Sequence, residues 1–244
     1  MKRLFLFLLA LIGTPLVWVL GHCFLKTLAV DWLDQPLWTA PRIAFVAGCV
    51  TMMALYAWKA RAMVVLYVFA HEVTHALAGL CCFARIHQIS IRATGGFVRL
   101  SKSNLVITLA PYCVPLYLLV AVFLYCVQQY LLPDALPFAC WAFLFGVLTV
   151  FHICYTTDAL FSVSQPDTLE YGRFFSWWLI LVANLFFALF AITITSPNYT
   201  VRRQAAQGVA ATRQVYHALY AGTTRIVQRL TADSASTSEV KGQP

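Results

Sequence analysis

The feature that most constrains this chain is a group of ionisable side chains inside a continuous apolar run. Residues 66–82 read LYVFAHEVTHALAGLCC, which places His71, Glu72 and His75 among aliphatic and aromatic neighbours. Ionisable groups are costly in hydrocarbon and usually mark functional sites when they occur there. Because residues four apart share one face of a helix, the run predicts a helix that presents His71 and His75 together.

The spacing His-Glu-x-x-His is typical of zinc peptidases. Two imidazoles on one helix face can bind one ion, and the glutamate beside them can move a proton from a water molecule to a leaving amine. We therefore expect His71 and His75 to bind Zn²⁺ and Glu72 to be the catalytic residue. The alternative is two buried, neutral histidines bonded to backbone carbonyls, beside a protonated Glu72.

The composition of the whole chain is that of a membrane protein. Of its 244 residues, 61 % are hydrophobic and only 11 % are charged. The apolar runs are continuous rather than alternating, which favours a polytopic helical protein over a β-barrel. The net charge of +8 suits contact with the surface of the lipid bilayer. No nucleic-acid-binding motif is present, so no nucleic-acid partner is expected.

The order of apolar runs predicts the organisation of the chain. Runs near residues 4–24, 43–58, 63–83, 104–132, 138–160 and 174–194 predict an all-α membrane fold of about six transmembrane helices. Pro111 and Pro115 are expected to kink or break the fourth run. We expect a transmembrane metallopeptidase-like domain over residues 1–198, a basic amphipathic tail helix over 199–231, and a disordered C-terminus over 232–244.

A more polar stretch follows the third run. Residues 85–100 read RIHQISIRATGGFVRL, with β-branched residues on both sides of Gly95 and Gly96. This pattern predicts a short β-hairpin that turns at the glycines, although a surface loop is the alternative. An edge strand of such a hairpin can hold an extended substrate segment by strand addition.

A catalytic zinc ion normally has three protein ligands, so a third ligand must lie elsewhere in the chain. With only nine acidic residues, the search leaves Asp158, Asp167 and Glu170, together with His87 and His152. His152 and Asp158 are six apart on one predicted helix and face different directions. Spacing alone ranks Asp158 and Asp167 equally. His152 is expected either to support the metal site or to make a hydrogen bond between packed helices.

The stretch HEVTHALAGL, followed by the glycine hairpin and further spans, resembles the site-2-protease-like intramembrane zinc metallopeptidases. The resemblance implies that a later aspartate, near the start of another core span, completes the zinc site. The family's usual Asn-x-x-Pro-x-x-Pro-Leu-Asp-Gly stretch is absent. Its nearest counterpart, Gln165-Pro166-Asp167, resembles the shorter motif of a divergent bacterial branch. The resemblance therefore assigns the third ligand to Asp167; the alternatives are Asp158, His152 or no third protein ligand.

The expected function is an intramembrane zinc metalloprotease that hydrolyses peptide bonds of single-span membrane proteins. The resemblance implies a multi-pass protein of the bacterial inner (plasma) membrane. Because the sequence carries no PDZ-like or CBS-like module, substrate choice is expected to come from the membrane core or from a regulatory membrane partner. The alternatives are a metal-binding membrane transporter, in which the histidines line a conduction path, and a catalytically inactive scaffold that binds partner helices.

Overall fold

The computed structural model describes residues 1–29, 39–92, 95–133, 135–162, 166–195 and 201–240. Gln165, the expected domain boundary at residues 198–199 and the last four residues of the expected disordered tail lie outside the described residues. The structure is predominantly helical and contains one antiparallel hairpin within its described part, which confirms the expected fold class in its coarse form.

The chain orders its elements as follows. The helices are α1 (Lys2–Lys26), α2 (Ala40–Lys59), α3 (Val64–Cys81), α4 (Leu105–Cys113), α5 (Leu116–Leu131), α6 (Phe138–Ser162), α7 (Pro166–Glu170), α8 (Arg173–Ile194) and α9 (Val201–Val240). Strands β1 (Ile86–Arg92) and β2 (Gly95–Leu100) lie between α3 and α4, and a short 3₁₀ segment (Ala60–Met63) joins α2 to α3.

Within the part of the chain that the structure describes, four segments are long and apolar enough to cross a membrane: Lys2–Ala29, Ala40–Cys81, Phe138–Phe161 and Arg173–Ile194. The bent pair of α4 and α5 raises the number to five if it is counted as one span. These segments support a multi-pass integral membrane protein. The expected count of six spans is not confirmed, because α2, the 3₁₀ segment and α3 run on as one helical segment of 42 residues.

Helices α2 and α6 pack closely through two reciprocal glycine contacts. A Cβ atom added to Gly48 would meet the carbonyl oxygen of Phe143. One added to Gly146 would meet the carbonyl oxygen of Phe45. Small residues at such crossings let membrane helices approach closely, which increases van der Waals contact between them. The buried core around Phe45 also includes residues of α5 and α8. Helices α2 and α6 therefore pack at the centre of a four-helix core.

The two prolines of the fourth run have different effects. Pro111 is accommodated inside α4, whereas Val114 and Pro115 separate α4 from α5, and the two helices are bent by 74°. Val114 has an extended backbone and Pro115 has no N–H, so the helical hydrogen-bond ladder stops there. The expected break is therefore present, at the second proline. It leaves carbonyl groups at the end of α4 to find other donors.

The hairpin is joined tightly to the end of α3. The N–H of Ala84 donates to the carbonyl of Gly79 at 2.8 Å, and that of Phe83 donates to Leu80 at 2.9 Å. With Phe83 at a φ of 59°, this is a Schellman cap that turns the chain out of the helix. Leu100 of β2 packs against Gly79, where a Cβ atom would come within 2.9 Å of its side chain. The hairpin thus lies back against α3.

The strands pair in an antiparallel register that runs from Ile86 opposite Leu100 to Arg92 opposite Gly95, with an irregularity between Ile86 and Gln88. Gly95 and Gly96 begin β2 and do not form the turn, because both are already paired with β1. The tail helix α9 packs against α1 through Ala211 and continues to Val240. The three-part division of the chain stays a prediction.

Candidate metal centre

His71 and His75 lie one helical turn apart on α3, as the spacing predicts. Their rings meet edge to face with centroids 4.9 Å apart. Both side chains are about 15 % exposed, at 14 % and 15 % respectively. Because they are four residues apart on one helix, the two imidazoles are presented on the same face of α3.

Asp167 joins them from the first turn of the short helix α7. Its Oδ2 atom lies 3.9 Å from Nε2 of His71 and 3.6 Å from Nε2 of His75. One ligand atom from each residue lies within 4.8 Å of the others. Among the described residues this is the group of His, Cys, Asp and Glu side chains that can hold a metal ion. The structure therefore brings Asp167, rather than Asp158, to the two histidines.

The distances are close to those that a zinc ion requires. Two ligand atoms bound to one tetrahedral ion at about 2.0–2.2 Å lie about 3.3–3.6 Å apart. The two separations that involve Asp167, 3.6 and 3.9 Å, need only small side-chain adjustments to meet that geometry, and the two histidine nitrogens lie within 4.8 Å of each other. Two imidazole nitrogens and one carboxylate oxygen are also a ligand set found in catalytic zinc sites, and they leave a fourth position for water. The residues present fit a divalent metal.

The backbone of α4 fixes the orientation of His75. Its Nδ1 atom lies 2.8 Å from the carbonyl oxygen of Ile107. Because a carbonyl only accepts hydrogen bonds, Nδ1 carries the proton and the lone pair of Nε2 points towards Asp167. A bond of this kind holds metal-binding histidines in the correct tautomer and raises their basicity. Ile107 is itself positioned by the helix cap, where its N–H donates to the side chain of Asn104 at 2.9 Å.

Asp167 is held by a second group that spacing does not reveal. The hydroxyl of Tyr112 donates to Oδ2 of Asp167 at 3.0 Å. Asp167 lies outside the candidate spans and its side chain is 30 % exposed. Burial alone would raise the pKa of its carboxyl. With protons on both ring nitrogens, the neighbouring His75 imidazole stabilises the carboxylate, as does the Tyr112 hydroxyl, and together they hold its pKa below the ordinary value.

Glu72 is buried beside the ligand pair, with 6 % of its surface exposed. It does not belong to the ligand group found among the described residues. On its open side it faces the start of β2, where Gly96 lies against its side chain. The side chain of Glu72 thus lies between its own helix, α3, and the hairpin.

An open cleft of about 900 Å³ leads to the site. The two histidines, Glu72 and Asp167 are among the residues that line it. Residues of β2 and the following turn line its side: Gly96, Phe97, Val98, Arg99, Leu100, Lys102 and Ser103. Among the described strands, β2 pairs with β1 along one edge, which leaves its other edge without a strand partner. The cleft runs beside this strand. An extended peptide would fit along it.

His152 and Asp158, the alternative ligands, are not in the ligand group of the described residues. His152 is buried on α6 and lines a small cavity of about 10 Å³ together with His71. That volume is about the size of one water molecule. Nδ1 of His71 and Nε2 of His152 are both buried without a hydrogen-bond partner among the described residues. His152 therefore shares a small cavity with the candidate ligand His71 and is not among the residues that line the cleft.

Sequence reasoning did not identify Tyr112 or its partner Asn184. Nδ2 of Asn184 donates to the backbone carbonyl of Tyr112 at 2.9 Å. The prolines around Tyr112 were the available signal, since a broken helix near a site leaves backbone groups that polar side chains must satisfy. Comparison with known proteins adds no assignment: no family model, curated protein or solved structure matches this chain.

Proposed function

We propose that this protein is an intramembrane zinc metalloprotease with His71, His75 and Asp167 as metal ligands and Glu72 as the catalytic residue. The observation that carries the proposal is the meeting of three potential ligand atoms within 4.8 Å, beside a buried glutamate, in the wall of an open cleft. The resemblance of the His-Glu-x-x-His stretch to site-2-protease-like enzymes supplies the reaction class. Zinc is preferred to other ions because of the ligand set.

The reaction divides between the metal and the chain. Bound zinc would make a water molecule acidic enough to attack and would polarise the carbonyl of the scissile peptide. Glu72 takes the proton of that water and later gives it to the leaving amine. His75 keeps its metal-binding nitrogen free because Nδ1 donates to Ile107. Asp167 contributes one negative charge, which offsets part of the positive charge of the ion.

A membrane-spanning substrate must unwind before it can be cut, because a helix hides its peptide bonds within its own hydrogen bonds. The hairpin offers replacement partners. Strand β2 lines the cleft from Gly96 to Leu100, and an extended segment laid along it would regain backbone hydrogen bonds while it passes Glu72. In this proposal the substrates are single-span membrane proteins, and a membrane partner regulates access. The location is the bacterial inner membrane, as the resemblance implies.

The test measures zinc content and cleavage of a tagged single-span substrate, with the full-length chain in lipid or detergent. Wild type and Glu72→Gln are compared, with Glu239→Gln in the tail as a matched control. The expected result is that Glu72→Gln keeps its zinc and loses cleavage, while the control keeps both. Cleavage by Glu72→Gln at the wild-type rate would refute the proposal. Metal transport that survives the substitution would favour a transporter instead.

A further inference from the structure

The contacts of Tyr112 link the candidate metal centre to the rest of the helix bundle. Tyr112 lies in the last turn of α4 and has no exposed surface. Its hydroxyl donates to Oδ2 of Asp167 at 3.0 Å. Its ring meets that of His71 edge to face, with centroids 5.0 Å apart. One side chain therefore contacts two of the three candidate ligands.

The hydrogen bond acts on the oxygen that faces the histidines. Oδ2 is the atom of Asp167 that lies 3.6 Å from His75 and 3.9 Å from His71. A carboxylate oxygen can accept one hydrogen bond and still offer a second lone pair to an ion. Helix α7 has only five residues, so the backbone around Asp167 constrains its side chain less than α3 constrains the histidines. The hydrogen bond from the Tyr112 hydroxyl further restricts the orientation of the Asp167 side chain.

The backbone of Tyr112 is itself anchored from two other helices. The side-chain amide of Asn184 in α8 donates to the Tyr112 carbonyl at 2.9 Å, and His152 of α6 also hydrogen-bonds to the backbone of Tyr112. The carbonyl is available because the ladder of α4 stops at Val114 and Pro115. The break that bends the chain by 74° therefore creates the attachment point that keeps Tyr112 in place.

Tyr112 is not one of the residues that line the cleft. A substrate in the cleft would meet Asp167 and Glu72, but not the phenol behind them. We propose that Tyr112 is a positioning residue that holds Oδ2 of Asp167 in its metal-binding orientation. The inference rests on the metal site of the proposed function, and it does not depend on peptide hydrolysis.

The test is a double-mutant cycle on zinc affinity, measured by competition with a coloured chelator on the purified full-length chain. Tyr112→Phe removes the hydroxyl and keeps the ring. It is expected to weaken zinc binding by roughly 10–100-fold, the usual cost of losing a partner of a metal ligand. In an Asp167→Ala background the same substitution is expected to have no further effect, because the group that it positions is gone.

Tyr117→Phe is the matched control. The Tyr117 hydroxyl also donates a hydrogen bond, but to the backbone carbonyl of Leu66 at 2.9 Å and not to a candidate ligand. Zinc affinity and the visible spectrum of the cobalt-substituted protein should be unchanged by it. The cobalt spectrum of Tyr112→Phe should shift, because that spectrum reports ligand geometry and not general stability.

Three results would overturn the inference: unchanged zinc affinity in Tyr112→Phe, an equal loss in the Asp167→Ala background, or no zinc binding by the wild type. Loss of affinity with no peptide cleavage by any variant would leave the inference standing and refute the protease proposal. The two can therefore fail separately.

Discussion

Gly96 lies directly against the side chain of Glu72. A Cβ atom added to Gly96 would come within 2.6 Å of Cγ and 2.8 Å of Oε1 of Glu72, and within 2.9 Å of the carbonyl oxygen of Ser90. Because the Ser90 carbonyl is part of the strand pairing, the added atom cannot simply move away from Glu72. The start of β2 therefore limits where the Glu72 carboxyl can lie.

Gly96→Ala is expected to displace the Glu72 carboxyl and lower the rate of substrate cleavage by up to roughly 100-fold, since displacements of about 1 Å can have that effect. Zinc content should stay at the wild-type level, because the substitution does not touch His71, His75 or Asp167. Gly208→Ala, where an added Cβ has open space, is the control. Full cleavage by Gly96→Ala would show that the Glu72 position is not set by this contact.

The choice of third ligand is tested by comparing Asp167→Asn with Asp158→Asn. Asp167→Asn replaces a charged ligand by a neutral amide, so zinc affinity should fall by more than the roughly 10–100-fold that partners of ligands contribute. Asp158→Asn should keep zinc at one ion per chain, as measured by elemental analysis. The assignment of Asp167 is wrong if the two variants bind zinc equally well.

Gly48→Ala is expected to destabilise the fold. The new methyl group would meet the carbonyl oxygen of Phe143 and force α2 away from α6, at a cost of about 1–3 kcal/mol. Gly21→Ala is a contrasting control, because an added Cβ there meets nothing within 4 Å. It should be neutral or stabilising by about 0.5–1 kcal/mol, since alanine favours a helix over glycine. Detergent or thermal unfolding of both variants measures the change in the free energy of unfolding. If both substitutions destabilise the protein, or both stabilise it, the packing argument is contradicted.

Zinc is expected to raise the unfolding temperature, because it binds the folded chain through residues that are far apart in sequence. At a free concentration one hundred times the dissociation constant, the stabilisation is about 2.7 kcal/mol. A chelator should reverse the shift. His75→Ala should abolish most of it, whereas His22→Ala should leave it intact. A shift of the same size in His75→Ala would place the ion elsewhere.

The ligand pair was the easiest part of the site to predict. His71 and His75 lie on one helix, so helical geometry alone brings them together. Asp167 could not be separated from Asp158 by spacing, because only the packing of α7 against α4 determines which carboxylate returns to α3. The resemblance selected Asp167, and the short distances to both histidines agree with that choice.

The contacts around the ligands were harder to predict than the ligands themselves. Tyr112 and Asn184 meet only after α4, α7 and α8 have packed, so no local pattern marks them. The span count was uncertain for a related reason. Lys59 and Arg61 look like the end of one membrane span, but a 3₁₀ segment at Ala60–Met63 joins the helices on either side, and Ala40–Cys81 forms one candidate segment. Composition shows how apolar a run is, but it does not show whether the chain reverses direction between two runs. The number of spans therefore cannot be counted from apolar runs alone.

The hairpin has one more consequence, for contacts between copies of the protein. Residues 85–102 contain four cations, Arg85, Arg92, Arg99 and Lys102, and no acidic residue. A strand with an unpaired edge invites the same strand of another molecule, and repeated positive charge is a common protection against such edge-to-edge aggregation. Two hairpins that approach each other bring like charges together. Pairing of this strand with the same strand of a second copy is thus electrostatically disfavoured.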